Sequence, residues 1–361
     1  MISEADTRVP DIPLKKTSIL IIVGLAIFIG YLYLVGFDSV KDILLKANLW
    51  YLGLAMAISL AANALHTAGW WMYLKDKGYR ISFFKAYEIY LSSIFFVNLL
   101  PAVVGSGEVA KIYFVDKCTP DARFDKTLAT CVISRALETL PIIAGAAFSV
   151  VYLAFFYDLP PWATAFCLFN TVMLTALVVV GIAAALNNAL LRRLSDWAFR
   201  QLERLLKKDM TAYAQSIDEI ITQFDASFRE IVAKKKLMAL SIMVMFAAWC
   251  LEISIAYVSF LAIGNPVNPV LVITVYSVLT VLQMMPMFLP GGLGVTDIVM
   301  TILYMVVGIP KAAASGATIM VRFVTLWFLT VVGGLATFYL AKAHGEKDLD
   351  DVKNSNDLRN G

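Results

Sequence analysis

The chain has 361 residues, of which 60% are hydrophobic and 16% are charged, and its net charge at pH 7 is +3. Its mean hydropathy is +0.76, and soluble domains carry about 25% charged residues. These values exclude a soluble globular protein, and we expect no nucleic-acid partner. Because the apolar runs are continuous rather than alternating, they indicate membrane helices and not the strands of a membrane barrel.

Six apolar runs are each long enough to cross about 30 Å of hydrocarbon as a helix. In chain order they are Ser18–Phe37, Leu49–Leu74, Thr127–Tyr157, Trp162–Leu186, Leu237–Ile263 and Ala312–Ala341. The first run follows a mixed-charge tail, residues 1–17, and is too long for the core of a signal peptide. We therefore interpret it as a retained first span.

The distribution of Lys and Arg predicts the orientation, because these residues gather on the cytoplasmic side of membrane proteins. Basic residues mark the N-terminal tail, the loop after the second run and the loop before the third, whereas 158–161 and 264–269 carry a single charge, an acid. We predict a multi-pass protein of the plasma membrane with a cytoplasmic N-terminus. Its membrane domain is expected to cover 18–342, followed by a polar tail, 343–361.

The segment Ile81–Lys117 has basic residues on both sides, so both of its ends belong on one face of the membrane. In its middle stands NLLPAVVGSGE, Asn98 to Glu108, which breaks a helix. We predict a re-entrant hairpin that enters from the cytoplasm. Irregular backbone at this depth is tolerated only where protein or a polar cavity covers it.

The segment Val270–Pro310 must begin and end outside by the same reasoning, and its middle is MPMFLPGGLGVTD, Met285 to Asp297. We predict a second hairpin that enters from the exterior. The expected fold is thus all-α, with about six full spans plus two oppositely oriented re-entrant hairpins, eight hydrophobic segments in total. Two broken segments of opposite orientation are typical of inverted repeats with a site near the midplane. Eight ordinary spans with proline kinks are the alternative.

The stretch 187–236 is predicted to be a cytoplasmic insertion of two amphipathic helices, since its apolar residues repeat at helical spacing. The two helices would pack together or lie on the inner leaflet, and a solvated face is an equal alternative. A cytoplasmic partner at 187–236 or a homo-oligomer is possible.

Charged residues inside apolar segments are rare enough that each is a candidate for function. The set comprises Glu88, Glu108, Lys111, Arg135, Glu138, Glu252, Asp297 and Arg322, with His66, Asn63, Asn98 and Asn170 as uncharged companions. Arg135 and Glu138 are three residues apart and can pair on one helix face, or they can bind substrate. The partner of Arg322 must come from another segment, with Asp297, Glu108 or the phosphate of a ligand as candidates.

Glu108 and Asp297 each follow a glycine-bearing break, where a new half-helix would begin. An acid in the first helical turn stabilises the positive end of the helix dipole. The same exposed N–H groups also attract anions, so the two acids could instead couple an ion or hold an arginine. The residues themselves leave both interpretations open.

The residues show no spacing typical of a metal site, and we expect no metal and no cofactor. They also show no nucleotide loop and no nucleophile with a placed base, so we do not expect an enzyme. An enzyme or subunit acting on lipid-linked sugar or phospholipid is one alternative, because paired carboxylates can serve acid–base chemistry. A membrane scaffold is another, and it predicts that deletion of Leu191–Ala233 abolishes function.

The two breaks, with SRALE between them and MVRFV near the end, resemble the lysylphosphatidylglycerol synthase transmembrane (flippase-like) family. The resemblance covers about Ile19 to Ala341. The positions that match are Pro101, Gly105, Gly107 and Glu108 in the first break, Pro290, Gly291, Gly292 and Gly294 in the second, and Arg322. Three positions depart: Asp297 and Lys111 replace the usual Glu and Arg, and Ser134 replaces an acid.

The resemblance implies movement of a polar lipid or lipid-linked headgroup between leaflets. Arg135 and Arg322 would contact an anionic headgroup in a cavity between the hairpins, and Glu108 and Asp297 would orient the arginines or couple ions. Asn98, Lys111 and Glu138 are further candidates for substrate binding or coupling, and membrane lipids, anionic or lipid-linked, would be the partners. In fused members of the family a soluble aminoacyltransferase domain follows the membrane part. The residues after Ala341 are too few for such a domain, so no lysyltransferase activity is expected.

Overall fold

The computed structural model describes residues 47–100, 105–120, 122–156, 226–283 and 289–343, with Leu45 and scattered positions between 161 and 179. Every regular element within these ranges is helical. The main helices are α1 (Leu49–Asp76), α2 (Phe83–Leu99), α3 (Ser106–Cys118), α4 (Phe124–Phe156), α5 (Lys235–Ala262), α6 (Pro269–Gln283), α7 (Val295–Val306) and α8 (Lys311–Ala343). The prediction of an all-α protein is confirmed for this part of the chain.

Four helices, α1, α4, α5 and α8, are long and apolar enough to cross a membrane. They correspond to four of the six predicted spans, with ends that differ by a few residues. The predicted span Ser18–Phe37 lies outside the described residues, and Trp162–Leu186 lies largely outside them. The same holds for the N-terminal tail, for the C-terminal tail except Ala343, and for all of the 187–236 insertion except 226–236.

Helices α1 and α5 form an antiparallel pair that is joined at both ends. At one end the backbone N–H of Asn48 donates to the carbonyl oxygen of Ala262 over 2.7 Å. At the other end Lys234 Nζ lies 2.8 Å from Asp76 Oδ1. Between the ends Gly69 lies directly against Met245, so the two backbones approach closely.

Helices α2 and α3 flank the first predicted break and pack against each other. They have 17 and 13 residues, which corresponds to about 25 and 20 Å. Each is therefore shorter than the roughly 30 Å of a full crossing. A Cβ on Gly107 would lie 2.7 Å from Val97 Cγ2, so this glycine, expected in the break, lies inside α3 and permits its contact with α2.

Helices α6 and α7 flank the second break in the same way, with 15 and 12 residues. A short 3₁₀ turn, Pro290–Gly292, precedes α7 and packs against α2. Gly291, Gly292 and Gly294 have φ values of 55°, 64° and 79°, a region that L side chains rarely adopt. These glycines make the turn possible, and through it the first broken pair contacts the second break.

Helix α8 packs along α2 through small and polar residues. Ser92 and Thr337 hydroxyls lie 2.8 Å apart, and Asn98 Nδ2 donates to Thr330 Oγ1 over 2.9 Å. Gly333 lies directly against the carbonyl oxygen of Leu91. Such small residues allow close approach of helices in a membrane. Residues Phe323–Phe328 of α8 are π-helical, a form that often occurs at functional sites.

Candidate functional site

A cluster of ionisable side chains lies among α1, α3, α4 and α5, and we call it the polar cluster. Its members are His66, Glu108, Lys111, Arg135, Glu138 and Glu252. Four of these residues, from Glu108 to Glu138, were predicted as site residues. Charge is costly at membrane depth, so the packing of six such groups together requires mutual compensation.

Arg135 is the centre of the outer part of this cluster. Its Nη1 donates to Glu138 Oε2 over 3.3 Å, which confirms the predicted pair on one face of α4. Its Nε lies 4.0 Å from Glu108 Oε1, at the start of α3. The Arg135 side chain is 56% exposed, whereas that of Glu138 is 5% exposed. Two carboxylates thus contact the guanidinium, and more than half of the side-chain surface is exposed.

Glu138 is the most connected member of the cluster. Its Oε1 accepts hydrogen bonds from Ser134 Oγ at 3.3 Å and from the Tyr90 hydroxyl at 3.5 Å. The same oxygen lies 3.9 Å from His66 Nδ1. Ser134 stands where the resembled family has an acid, so here that position donates a hydrogen bond instead of adding a second charge.

His66 joins the inner part of the cluster to α5. Its Nε2 lies 3.1 Å from Glu252 Oε1, a contact across 186 positions of sequence that sequence reasoning missed. Both residues were recognisable only as ionisable groups in apolar runs. Their pairing depends on the packing of α1 against α5, for which no local pattern exists.

Lys111 lies at the base of the cluster on α3 and is 6% exposed. Its ammonium lies 4.1 Å from the ring centroid of Tyr90 and 5.3 Å from that of Trp70. These are cation–π contacts, which stabilise a cation more strongly when water is excluded. Lys111 therefore brings positive charge beside Glu138 from the ring side rather than by a direct ion pair.

A cavity of about 180 Å³ lies beside the inner part of the cluster. Its lining residues are Ser59, Ala62, Asn63, Ile94, Glu252, Ile255, Tyr276, Thr325 and Leu329. The wall therefore combines α1, α2, α5 and α6 with the π-helical part of α8. Glu252 lines this cavity and also contacts His66. It therefore links the cavity to the polar cluster.

Arg322 and Asp297 form a second buried site at the other break. Arg322 Nε lies 3.2 Å from Asp297 Oδ1, and its Nη2 donates to the carbonyl oxygen of Gly291 over 2.6 Å. Asp297 Oδ2 accepts from the backbone N–H of Gly294 over 2.9 Å. Of the three candidate partners, Asp297 is thus the one that Arg322 contacts. Asp297 both caps α7 and holds the arginine.

The remaining predicted residues are distributed as follows. Asn98 bonds to Thr330 at the α2–α8 interface. Gly105 precedes α3 with a φ of 87°, which fits a break. Pro290 begins the 3₁₀ turn and is buried, and Pro101 lies outside the described residues. Among the residues that the structure describes, no group of three or more His, Cys, Asp or Glu is arranged to hold a metal ion.

Long apolar helices, two pairs of short helices separated by breaks, and buried charge beside both breaks define a polytopic helical membrane protein with polar groups at membrane depth. A family model described as the lysylphosphatidylglycerol synthase TM region matches residues 21–333. The chain belongs to this family.

Similar proteins include three archaeal UPF0104 membrane proteins. One from Methanothermobacter thermautotrophicus is 24% identical over 337 residues, which is 93% of this chain and 99% of the relative. One from Pyrococcus horikoshii is 24% identical over 89% of this chain and 96% of the relative, and one from Methanocaldococcus jannaschii is 24% identical over 93% and 98%. The likeness therefore extends over nearly the full length of each.

Proposed function

We propose that this protein moves an anionic lipid headgroup between the leaflets of the membrane, with Arg135 as the group that binds it. The observation that carries the proposal is the Arg135 side chain, which is 56% exposed although Glu108 and Glu138 contact its guanidinium. Arg135 is the twelfth residue of α4, so it lies about 17 Å from the start of that helix. Counted from Thr127, where the apolar run begins, Arg135 is about 12 Å along the helix, and we take this position to lie within the hydrocarbon layer of about 30 Å.

An exposed arginine at this depth cannot face lipid tails without a large cost. Insertion scales put a charge at the helix centre at about 2.5–3.5 kcal/mol, and simulations put it higher. A crevice that admits water or a lipid headgroup removes this cost. A planar guanidinium also suits phosphate oxygens, which it can bind with two parallel hydrogen bonds.

Glu108 and Glu138 act as positioning residues in this proposal. Both contact the guanidinium, so they hold it in the crevice when no headgroup is bound. Lys111 adds a buried positive charge behind Glu138. An incoming phosphate replaces part of the acid contacts of Arg135, and this exchange keeps binding weak enough for release.

In this proposal Arg322 holds the second break and does not bind the headgroup. Its guanidinium is directed at Asp297 and Gly291, and its side chain is 7% exposed. We assign it to holding the second break rigid, so that a fixed wall faces α2. The headgroup therefore meets Arg135 and not Arg322.

The proposal makes the protein a transporter and not an enzyme, in the plasma membrane with its N-terminus in the cytoplasm. The orientation is supported by basic residues at the end of the bundle where Lys77 and Lys234 lie. Under this proposal each broken pair is a re-entrant hairpin, the first open to the cytoplasm and the second to the exterior. The lipid itself leaves chemically unchanged.

The test is headgroup translocation by the purified protein in liposomes, measured with a fluorescent anionic lipid. Wild type is expected to move it well above the rate of protein-free vesicles, and Arg135→Ala should lose at least tenfold. Arg80→Ala is the matched control, because Arg80 is exposed in the loop between α1 and α2. Equal rates in wild type, Arg135→Ala and empty vesicles would refute the proposal, as would a changed mass of the recovered lipid.

A further inference from the structure

His66 is buried between two carboxylates that come from two other helices. Glu252 Oε1 is 3.1 Å from Nε2 and Glu138 Oε1 is 3.9 Å from Nδ1. An ionised carboxylate can only accept hydrogen bonds, so in this contact Nε2 of His66 carries the hydrogen and donates it to Glu252. The Nδ1 atom is buried without a hydrogen-bond partner among the described residues, and it is directed at Glu138. A proton on Nδ1 would give this nitrogen a hydrogen to direct at Glu138.

The charge of the polar cluster also favours a proton on Nδ1. Its fixed charges are two cations, Lys111 and Arg135, and three carboxylates, so a neutral His66 leaves one net negative charge. Net charge in a low-dielectric interior is unfavourable. A proton on Nδ1 makes the cluster neutral and turns the 3.9 Å approach to Glu138 from a repulsion into an ion pair.

The groups that face His66 come from every helix around it. Tyr90 of α2 stacks on its ring at 6.2 Å between centroids. The charged groups that act on it are Lys111 on α3, Glu138 on α4 and Glu252 on α5. Behind them lie Glu108 and Arg135, which contact each other beside Glu138, and Tyr276 on α6, which lines the cavity with Glu252. Of these, the two carboxylates in direct reach of the imidazole decide its proton occupancy.

Glu138 contacts both the proposed proton site on His66 and the guanidinium of Arg135. Glu138 turns Oε1 to His66 and Oε2 to Arg135, so a proton on His66 gives this carboxylate a second cation. Arg135 then depends less on Glu138 and its guanidinium becomes available to an anion. Since coupling between two sites is reciprocal, a bound anion must also favour the protonated His66.

We infer that His66, between Glu138 and Glu252, is a proton-binding site that couples headgroup movement to the transmembrane pH gradient. The proton enters from the cavity side past Glu252 and is held on Nδ1 of His66 against Glu138. It is released to the opposite face of the membrane after the headgroup has crossed and dissociated from Arg135. One proton that moves with one monoanionic headgroup makes the step electrically neutral. The inference rests on the proposed function for its transport part only.

The proton site itself can be tested without lipid movement. The chain has two histidines, His66 and His344, so ¹⁵N-histidine labelling gives two sets of signals that His344→Gln assigns. We expect the His66 signals to change from the neutral to the doubly protonated pattern between pH 5 and 9. Glu252→Gln should move that transition along the pH axis. A His66 that stays in one state across this range would overturn the inference, whatever the transport result.

The coupling is tested in proteoliposomes with the membrane potential clamped at zero. With one proton per headgroup, a gradient of one pH unit is expected to support about a tenfold ratio of the anionic lipid between leaflets. His66→Gln should support no ratio above that of empty vesicles, while His344→Gln behaves as wild type. The inference would be overturned, and the proposed function left intact, by either of two results. One is translocation by wild type that does not respond to the pH gradient, and the other is a leaflet ratio of the anionic lipid that is the same in His66→Gln as in wild type. Absence of any translocation by wild type would instead refute the proposed function.

Discussion

Arg322 binds Asp297 across the second break, with Nε 3.2 Å from Oδ1 and with side chains that are 7% and 1% exposed. The acid that follows the glycines thus does two things, since it also accepts from Gly294 N–H. A half-helix that begins inside the membrane needs partners for its first N–H groups. Asp297 accepts the hydrogen bond from Gly294 N–H, and Arg322 neutralises the charge of Asp297.

Arg322→Ala should destabilise the protein strongly, because it leaves Asp297 buried without its cation. Loss of one partner of a buried pair costs about 3–5 kcal/mol. The double variant Arg322→Met, Asp297→Asn should recover most of this loss, since the amide oxygen of asparagine can still accept from Gly294. The measurement is unfolding of the detergent-solubilised protein. A single variant as stable as wild type would contradict the assigned role.

Gly333→Ala should destabilise the contact between α2 and α8. A Cβ at this position would collide with the Leu91 carbonyl oxygen and lie 3.1 Å from Phe95 Cβ. Forced overpacking of this kind typically costs about 1–3 kcal/mol. Gly53→Ala in α1 is the matched control, because nothing lies within 4 Å of its Cβ position. The two variants are compared by thermal unfolding, and equal midpoints would count against close packing here.

Glu230 should make stability depend on acid pH. Hydrogen bonds from Lys77 and then Lys234 lower the pKa of Glu230 to about 2, against about 4.3 for a free glutamate. A lowered folded-state pKa means that the stabilisation is present above about pH 4.3 and is lost as the pH falls toward 2. Its size is about 0.2–1 kcal/mol, because Glu230 is largely exposed.

Glu230→Gln should therefore lower the unfolding temperature at pH 7 and change it little near pH 2. High salt should shrink the difference at pH 7 through screening. If the difference in unfolding temperature between wild type and Glu230→Gln stays constant from pH 7 to pH 2, the ion pairs with Lys77 and Lys234 do not stabilise this end of the bundle.

Single cysteines in a background without the native four should report the topology of both broken pairs. Arg80→Cys and Pro120→Cys lie before α2 and after α3, and Asn268→Cys and Lys311→Cys lie before α6 and after α7. We expect the first two to react with an impermeant thiol reagent from the cytoplasm and the last two from the exterior. Members of one pair that react from opposite faces would indicate that the broken segment crosses the membrane once, as a kinked span, instead of forming a re-entrant hairpin.

Much of the fold could be predicted from local sequence. Apolar length located α1, α4, α5 and α8, and the proline and glycine clusters located the ends of α2 and α6 and the start of α7. These features depend on a few consecutive residues. The predicted pair of Arg135 and Glu138 was accessible for the same reason, because three-residue spacing fixes it.

The rest of the site depends on which helices pack together, and a local sequence pattern does not predict this. The contact of His66 with Glu252 requires α1 beside α5, and the choice of Asp297 for Arg322 requires the second break beside α8. Gly107 was placed in the break because it is a glycine. Its actual use is a close approach of α3 to α2, which only the packed structure reveals.

The central claim is that Arg135 binds an anionic headgroup during translocation, and headgroup selectivity tests it most directly. Two fluorescent lipids with identical chains, one anionic and one zwitterionic, are compared in proteoliposomes of wild type and Arg135→Gln. The account predicts that wild type moves the anionic lipid at least tenfold faster and that Arg135→Gln loses this preference. A preference of the same size in both proteins, or none in wild type, would contradict it.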